Sequence, residues 1–531
     1  MAVEGRLGRS SDRSSDRSSD PTDRLAGGLG WAWLRPGVAG LAGGLALPPL
    51  GCPPLLWLAL ALLWAAAAGP APARAGALWG GLAVLVSHRW LLGLHPLDWI
   101  GVPLPLSLPL CWLLLLSCAG LGAGLVALWC RLAARLDGRR FSTAVLLACS
   151  WGCVEVLLAQ GPLFWMGLGA SALPQDPPLA ALAALGGGGL VAAVQLLLGW
   201  GLWRLAVAPQ RRRAIAAWVL AVVLLHAGGA WWLARGVLPQ GAGERVLVLQ
   251  PGIPTREKFS GASRQRLDRL LALALQRAQD LEADAVLLPE GALGLEPVLE
   301  APAPVELLSG GFRWQQGEEG QEQRSALLRF PVGATQPQSA VDKHRLVPLG
   351  EWVPLAGLVR WSGLSAVGGL EPGAASRLLA RPAGAVGVAI CYELSDGAAL
   401  AAASRDGATW LLATANLDPY PLLLQRQFEA LSRLRALETG RWLVSSANTG
   451  PSLLVSPRGA VIARLAPGGA SMGLFPLGQS SGDTGYVRWG EAPLWLAIVL
   501  AGLLRWRGRG PGRPPGLAGF NRRTEEPPPR G

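Results

Sequence analysis

Apolar residues follow two different regimes along this chain. From about residue 30 to 235 they run in blocks long enough to cross a hydrocarbon core of roughly 30 Å, separated by short loops. The blocks fall at roughly 30–48, 54–70, 76–95, 104–130, 143–163, 179–203 and 214–234, and an eighth runs from about Pro493 to Leu504, beginning near Trp489. This pattern predicts a polytopic α-helical membrane bundle of about eight transmembrane helices. Between about 240 and 488 the blocks shorten to strand length and alternate with amphipathic stretches. Arg245 to Gln250, Ala285 to Leu288, Val386 to Ile390, Trp410 to Ala413 and Trp442 to Ser445 read as buried strands. Ala262 to Leu281 and Gln425 to Glu438 have helical periodicity, and Leu453 to Leu465 reads as a hairpin turning at Pro457-Arg458-Gly459. The second regime predicts an α/β layered domain whose strand ends converge on one site.

Composition agrees with that division. Of 531 residues, 51% are hydrophobic and 15% charged, which one soluble globule cannot accommodate. The formal charge of +12 does not mark a nucleic-acid binder, because the arginines border apolar blocks and form no separate basic domain interleaved with aromatics. Their placement orients the bundle instead. Arg74, then Arg131, Arg135, Arg139 and Arg140, then Arg211, Arg212 and Arg213 occupy alternate loops, and Arg505, Arg507, Arg509 and Arg513 follow the last block. The intervening loops around Gly51 to Pro53, His95 to Pro103 and Pro174 to Pro178 carry no lysine or arginine. Positive loops stay cytoplasmic, so the α/β domain is expected on the opposite face. The expected organisation is a disordered tail over 1–24, too polar to bury a core, a membrane bundle over 25–239, an extracytoplasmic domain over 240–488, a last helix over 489–506, and a basic, proline-rich cytoplasmic tail over 507–531.

Chemistry enters through scarcity. Six cysteines, Cys52, Cys111, Cys118, Cys130, Cys149 and Cys153, lie in the apolar half, where thiols behave as small hydrophobes. Cys391 stands alone in the α/β domain, which rules out an internal disulfide framework there. His344 is that domain's only histidine, so it has neither the usual Cys and His ligands of a zinc site nor a G-x-S-x-G elbow for a serine hydrolase. Lys258 and Lys343 are the only lysines in a chain that otherwise writes arginine, a hint that a compact, deprotonatable ammonium is needed at those places.

Three strings combine into one constellation: Leu-Pro-Glu290-Gly, Asp-Lys343-His-Arg-Leu-Val-Pro-Leu-Gly-Glu351-Trp-Val-Pro, and Ala-Ile-Cys391-Tyr-Glu393. A thiol needs a base to become a nucleophile, and a tetrahedral intermediate needs positive charge on its oxyanion. A carboxylate and a lysine beside one cysteine supply both. Singly, each has a plainer explanation: a packed thiol, a solvated strand end, a surface lysine. Together and in this order they resemble the Glu-Lys-Cys triad of the nitrilase superfamily, and in particular the bacterial apolipoprotein N-acyltransferases. Gln250 to Pro254, Arg435 to Arg441, Asn448 to Gly450, Tyr486 to Leu494, Trp151 to Glu155 and Phe164 to Gly169 extend the resemblance over nearly the whole chain after the tail.

The resemblance implies a nitrilase-like αββα sandwich, with Glu290 as general base, Lys343 as oxyanion stabiliser and Cys391 as nucleophile. Glu351 would hold the triad or assist proton transfer, and Tyr392 and Glu393 would shape an acyl pocket. It further implies ping-pong transfer of a fatty acyl chain from a membrane phospholipid to the α-amine of a diacylglyceryl-cysteine at the N-terminus of an apolipoprotein, with no metal or cofactor, in a bacterial inner membrane. Two other readings stay open on the residues alone: a membrane-tethered nitrilase-like amidase and a non-catalytic membrane scaffold. Three departures from the family pattern bear on substrate contacts and loop dynamics rather than on reaction type. Leu288 stands where the family has tryptophan, Phe259 follows Lys258 where tryptophan is usual, and Asn416-Leu-Asp-Pro-Tyr420 replaces Asn-Asp-Ala-Trp-Phe. Within the membrane region, Glu155 is expected to face the bundle interior or interfacial water, and His88 with Arg89 to sit at the interface or meet a headgroup. Trp165 is expected to line a lipid path.

Overall fold

The structure, a computed structural model, describes residues 29–208, 210–235, 243–258, 260–317, 320–348, 350–352 and 369–507. The expected tail over 1–24, Phe259 and the chain beyond Arg507 lie outside the described residues. The apolar half folds as helices α1 (Leu29–Leu45), α2 (Pro53–Ala67), α3 (Pro72–Ser87), α4 (Leu104–Arg135), α5 (Phe141–Gln160), the short α6 (Pro177–Ala180), α7 (Ala183–Ala206) and α8 (Arg211–Ala234). Among the described residues, five helical segments are long and apolar enough to cross a membrane: Pro72–Leu94, Leu104–Arg135, Phe141–Gln160, Ala183–Ala206 and Arg211–Ala234. α1, α2 and the final apolar helix have 17, 15 and 16 residues, short of the roughly 20 that an untilted crossing needs. The expected count of eight crossings is therefore met in full length by five. α8 lies on the outside of the bundle, where Gly229 is its one buried residue. α3 and α4 approach so closely that a Cβ on Gly80 would stand 2.4 Å from the carbonyl oxygen of Gly122.

The block expected at 179–203 is not one continuous helix. It begins in α6, and α7 is kinked where Gly186 and Gly187 leave helical geometry, Gly187 at φ +71°. Only glycine fits at this bend, since a Cβ at Gly187 would lie 2.6 Å from the Tyr486 ring. The bend also frees the backbone N–H of Gly188, which donates to Glu438 at 2.8 Å.

The second half is an αββα sandwich. One six-stranded sheet contains β1 (Glu244–Gln250), β2 (Ala285–Leu287), β3 (Glu306–Gln316), β4 (Gln321–Phe330), β5 (Ser339–Asp342) and β12 (Ser471–Leu477), in the order β12-β1-β2-β3-β4-β5. The other contains β6 (Leu378–Leu379), β7 (Val386–Ile390), β8 (Trp410–Ala415), β9 (Leu443–Ala447), β10 (Leu453–Val455) and β11 (Val461–Arg464), in the order β11-β10-β9-β8-β7-β6. Parallel pairing of β1, β2 and β3, and of β7, β8 and β9, aligns their C-terminal ends at one edge of the sandwich. The inner faces share one core, in which Val246, Val248 and Leu287 meet Val388, Leu412 and Val444. A buried ion cluster crosses it: Arg381 reaches Glu244 and Glu306 at 2.5 Å each, and Glu244 also accepts from Trp410 Nε1 at 2.9 Å.

The outer layers are helices. α9 (Gly261–Asp280) covers the first sheet with Leu267, Leu271, Ala274 and Ala278. α10 (Gly397–Arg405) and α11 (Leu422–Thr439) cover the second, and the short α12 (Gly485–Trp489) leads into α13 (Ala492–Arg507), the final apolar helix. α11 begins three residues before the expected Gln425 and is buried on nearly every side because it also rests on the bundle. Gln427 there donates from Nε2 to the Ser87 carbonyl at 3.0 Å.

Candidate active site

Glu290 follows the C-terminal end of β2, Lys343 follows β5, and Cys391 follows β7 directly. The aligned strand ends bring them together. Lys343 is wholly buried, and its Nζ lies 2.7 Å from Glu290 Oε1 and 2.7 Å from Glu351 Oε1. An ammonium has three donor hydrogens, so a third remains beyond these two contacts. The second oxygen of Glu290 accepts from the Asn416 backbone N–H at 3.0 Å, and that of Glu351 from Val347 at 2.9 Å. The Cys391 side chain is 4% exposed and lies within hydrogen-bonding reach of Glu290.

Cys391 has φ +55°, a left-handed conformation that costs an L-residue roughly 1–2 kcal/mol. Glu393 holds this bend. Its Oε2 accepts from the Ile390 backbone N–H at 2.8 Å, while Oε1 accepts from the backbone of His344 at 2.7 Å and of Arg345 at 3.2 Å, and from Arg377 at 2.7 Å. The carboxylate expected at an acyl pocket thus clamps the cysteine turn to the lysine loop. Arg345 extends the clamp to the membrane half: it donates to Ser395 Oγ at 3.1 Å and to the Gly161 carbonyl just past α5.

These charges polarise the site. Burial alone would raise Glu290, but the Lys343 ammonium, the Asn416 N–H and the more distant Lys258 hold it below the usual carboxylate range. Glu351 goes the other way: burial and the neighbouring Glu290 charge outweigh Lys343 and push it up. Lys343 stays firmly cationic, since its carboxylate neighbours overcome the cost of burial. Burial and the adjacent Glu290 carboxylate push the Cys391 thiol well above its ordinary value, so the resting pair is a thiol facing a carboxylate. Among the described residues no group of three His, Cys, Asp or Glu side chains is placed to hold a metal ion.

An aromatic wall stands beside the thiol, built from both halves of the chain. Phe164 stacks on Phe428 at 5.1 Å between ring centroids and approaches Tyr392 at 5.3 Å. Trp90 lies 5.9 Å from Tyr420, which in turn lies 6.1 Å from Tyr392 between ring centroids. Tyr420 ends the string that departs from the family pattern, so the departure falls within this wall. Trp165 is buried against His88, 5.1 Å between centroids. His88 is itself buried and contacts Ser87 Oγ through Nδ1 at 2.9 Å, whereas Arg89 is exposed. Glu155 faces the interior, accepting from Trp151 Nε1 and the Leu168 N–H at 2.9 Å each.

Residues 39–201 match the family model described as the apolipoprotein N-acyltransferase N-terminal domain, and residues 334–472 match that of carbon-nitrogen hydrolases. An apolipoprotein N-acyltransferase of Prochlorococcus marinus strain MIT 9313 is 50% identical over 495 residues, covering 90% of this chain and 97% of that one. The chain belongs to the apolipoprotein N-acyltransferase family. A family member from Parasynechococcus marenigrum strain WH8102 is also 50% identical, over 86% of this chain and 96% of its own. Among solved structures, Saccharomyces cerevisiae Nit3 of the nitrilase superfamily aligns with a TM-score of 0.34 and 18% identity, over 44% of this chain and 90% of that one.

Two residues at the family's site carried little signal in sequence. Asn416, whose backbone N–H fixes the orientation of Glu290, sits in the string that departs from the family, and Arg377, which neutralises Glu393, is one arginine among many. Lys258 is marked by the rarity of lysine and by its place before Phe259, where the family usually has tryptophan.

Proposed function

We propose that this chain moves a fatty acyl chain from a membrane phospholipid, through a thioester on Cys391, to the α-amine of the N-terminal diacylglyceryl-cysteine of apolipoproteins. One observation carries the reading: a buried thiol, a carboxylate held charged and a lysine held cationic converge beside an aromatic wall supplied partly by the membrane helices. In the first half-reaction Glu290 takes the thiol proton as Sγ attacks the ester carbonyl carbon. The carbonyl electrons move onto oxygen, and the remaining donor of Lys343 stabilises that charge. Collapse breaks the ester C–O bond, and the departing lysophospholipid oxygen takes the proton back from Glu290. In the second half-reaction the amine attacks the thioester, Glu290 removes an amine proton, and the sulfur leaves and is reprotonated.

Glu351 fixes Lys343, and the aromatic wall with Tyr392 receives the first carbons of the acyl chain. Both substrates are anchored in lipid, so fixing the site against the bundle turns two encounters into reactions between neighbours. Residues 240–488 act outside the cytoplasm and residues 25–239 and 489–506 lie in the bacterial inner membrane, a topology supported by the arginine asymmetry of the loops. Transfer from chain-labelled phosphatidylethanolamine to a synthetic diacylglyceryl-cysteine peptide tests the activity. The wild-type protein is expected to yield a triacylated peptide and Cys391→Ser none. Hydrolysis of small amides without peptide acylation would favour the amidase reading, and labelling of the 240–488 region from the cytoplasmic side would reverse the topology.

A further inference from the structure

The chain's second lysine lies beside the same carboxylate. Lys258 ends the loop that follows β1, and its Nζ stands over the backbone just beyond Glu290: a Cβ on Gly291 would come within 2.8 Å of it. Lys258 and Glu290 both line a cavity of about 640 Å³ between α9 and the 291–304 segment. The loop carrying Lys258 is tied to the segment that departs from the family pattern. Asp418 accepts from the Thr255 backbone N–H at 2.7 Å, and Asn416 donates from Nδ2 to Thr255 Oγ1 at 3.1 Å while its backbone N–H holds Glu290. Arg256 in the same loop reaches Asp98 at 3.0 Å and the Pro96 carbonyl at 3.1 Å, joining it to the bundle's loop after α3. The backbone that carries Lys258 is thus tied both to the 416–418 segment and to the loop after α3.

We infer that Lys258 is a positioning residue for acyl transfer, a second cation that keeps the Glu290 carboxylate charged before the thiol. The inference rests on the proposed role of Glu290 as base. Lys343 cannot supply this alone without sharing, because its ammonium serves Glu290 and Glu351 at equal distances of 2.7 Å and must also meet the oxyanion. A second cation lets Lys343 turn toward the oxyanion while Glu290 remains ionised. The charged and titratable groups facing Glu290 are Lys343 after β5, Lys258 after β1, Cys391 after β7 and Glu351, with Tyr420 nearby; Asp418 faces Lys258. Burial lowers Lys258 itself, and the Glu290 and Asp418 charges oppose that. Asp418 exists at this register only because the chain reads Asn-Leu-Asp-Pro-Tyr, so this departure supplies the carboxylate that faces the second lysine.

The test is the pH dependence of Cys391 acylation in a single turnover. Full-length protein is mixed with dipalmitoyl phosphatidylethanolamine in detergent micelles and the acyl adduct followed by intact mass. An opposite charge at close range shifts a carboxylate by about 1–3 units. Lys258→Met is therefore expected to move the acid limb up by about one pH unit or more, and so to slow acylation roughly tenfold in the acid range where wild type is still on its plateau. Lys258→Gln must move it in the same sense, and Lys258→Arg must keep it near the wild-type position. An unmoved limb in both neutral variants, or an equal displacement in Lys258→Arg, overturns the inference. Glu290→Gln separates the two layers of the argument: if it acylates at the wild-type rate, the base assignment itself fails, whereas if it is inactive while the Lys258 variants are unshifted, only the role of Lys258 fails.

Discussion

Two buried carboxylates in this molecule, Glu290 and Glu438, have opposite electrostatic fates. Glu290 faces two lysines and a backbone N–H, and is held below the usual range. Glu438, where α11 meets the kink of α7, has Arg435 at 3.0 Å and the Gly188 N–H at 2.8 Å, yet burial dominates and pushes it up to about 7. Its Oε2 and Arg435 Nε have no hydrogen-bond partner among the described residues, and the Glu491 and Asp396 charges press the same way. The second cluster has the burial and the perturbed acid of an active site but no nucleophile at a strained strand end. On the proposed mechanism, what separates catalysis from structural stitching is a thiol held by a left-handed turn beside a carboxylate kept charged. A perturbed pKa alone does not make that distinction.

The largest effect that would sharpen this contrast is at the nucleophile. Cys391→Ala is expected to remove both the acyl adduct and peptide acylation entirely, as read by mass spectrometry. Next come its partners: Glu290→Gln should slow acylation by about 10²–10⁴-fold, the usual worth of a positioned proton acceptor. The Arg435 cluster should respond in stability instead. Arg435→Met leaves Glu438 without its cation and is expected to cost about 3–5 kcal/mol, seen as a lower melting temperature, while acylation by the folded fraction stays within a few-fold of wild type. If Arg435→Met abolishes chemistry in folded protein, the two regions are not distinct in kind.

Glu438 also makes a pH prediction. Its folded value of about 7 lies above the ordinary 4.5, so the native state holds a proton more tightly than the unfolded chain. Its contribution to stability is therefore greatest below the ordinary value, falls as pH rises toward 7, and is level above. Melting temperature against pH should show that decline, and Glu438→Gln should flatten it. The smallest expected effect is at the aromatic wall. Tyr420→Phe keeps the ring in the wall and removes only its hydroxyl, and should change peptide acylation only a few-fold.

Much of this architecture was legible in the periodicity. The strands that position Glu290 and Cys391 are short, β-rich and bounded by turn residues, and they lie within a residue or two of the expected limits. β3 and β4 were not legible. Their sequences mix glycine, arginine and glutamine, because the paired strands share one buried end and one solvent-facing end: β3 runs from buried to half-exposed and β4 returns from half-exposed to buried. The kink in α7 was equally hidden, since four successive glycines permit a break but the Tyr486 ring and Glu438 fix where it falls. At the site, the strings around Glu290, Lys343, Glu351 and Cys391 pointed to residues that the fold does bring together. Glu393, expected at an acyl pocket, has its two oxygens bound by four donors from His344, Arg345, Arg377 and Ile390. A carboxylate's partners come from segments far apart in sequence, and no local pattern announces them.

The central claim is that Cys391 carries the acyl chain between donor and acceptor. Intact mass measurement of full-length protein incubated with dipalmitoyl phosphatidylethanolamine, before and after addition of a diacylglyceryl-cysteine peptide, tests it directly. The account predicts one palmitoyl adduct, mapped to Cys391, that disappears as the triacylated peptide accumulates. Triacylated peptide formed without any adduct, or formed equally well by Cys391→Ala, would contradict it.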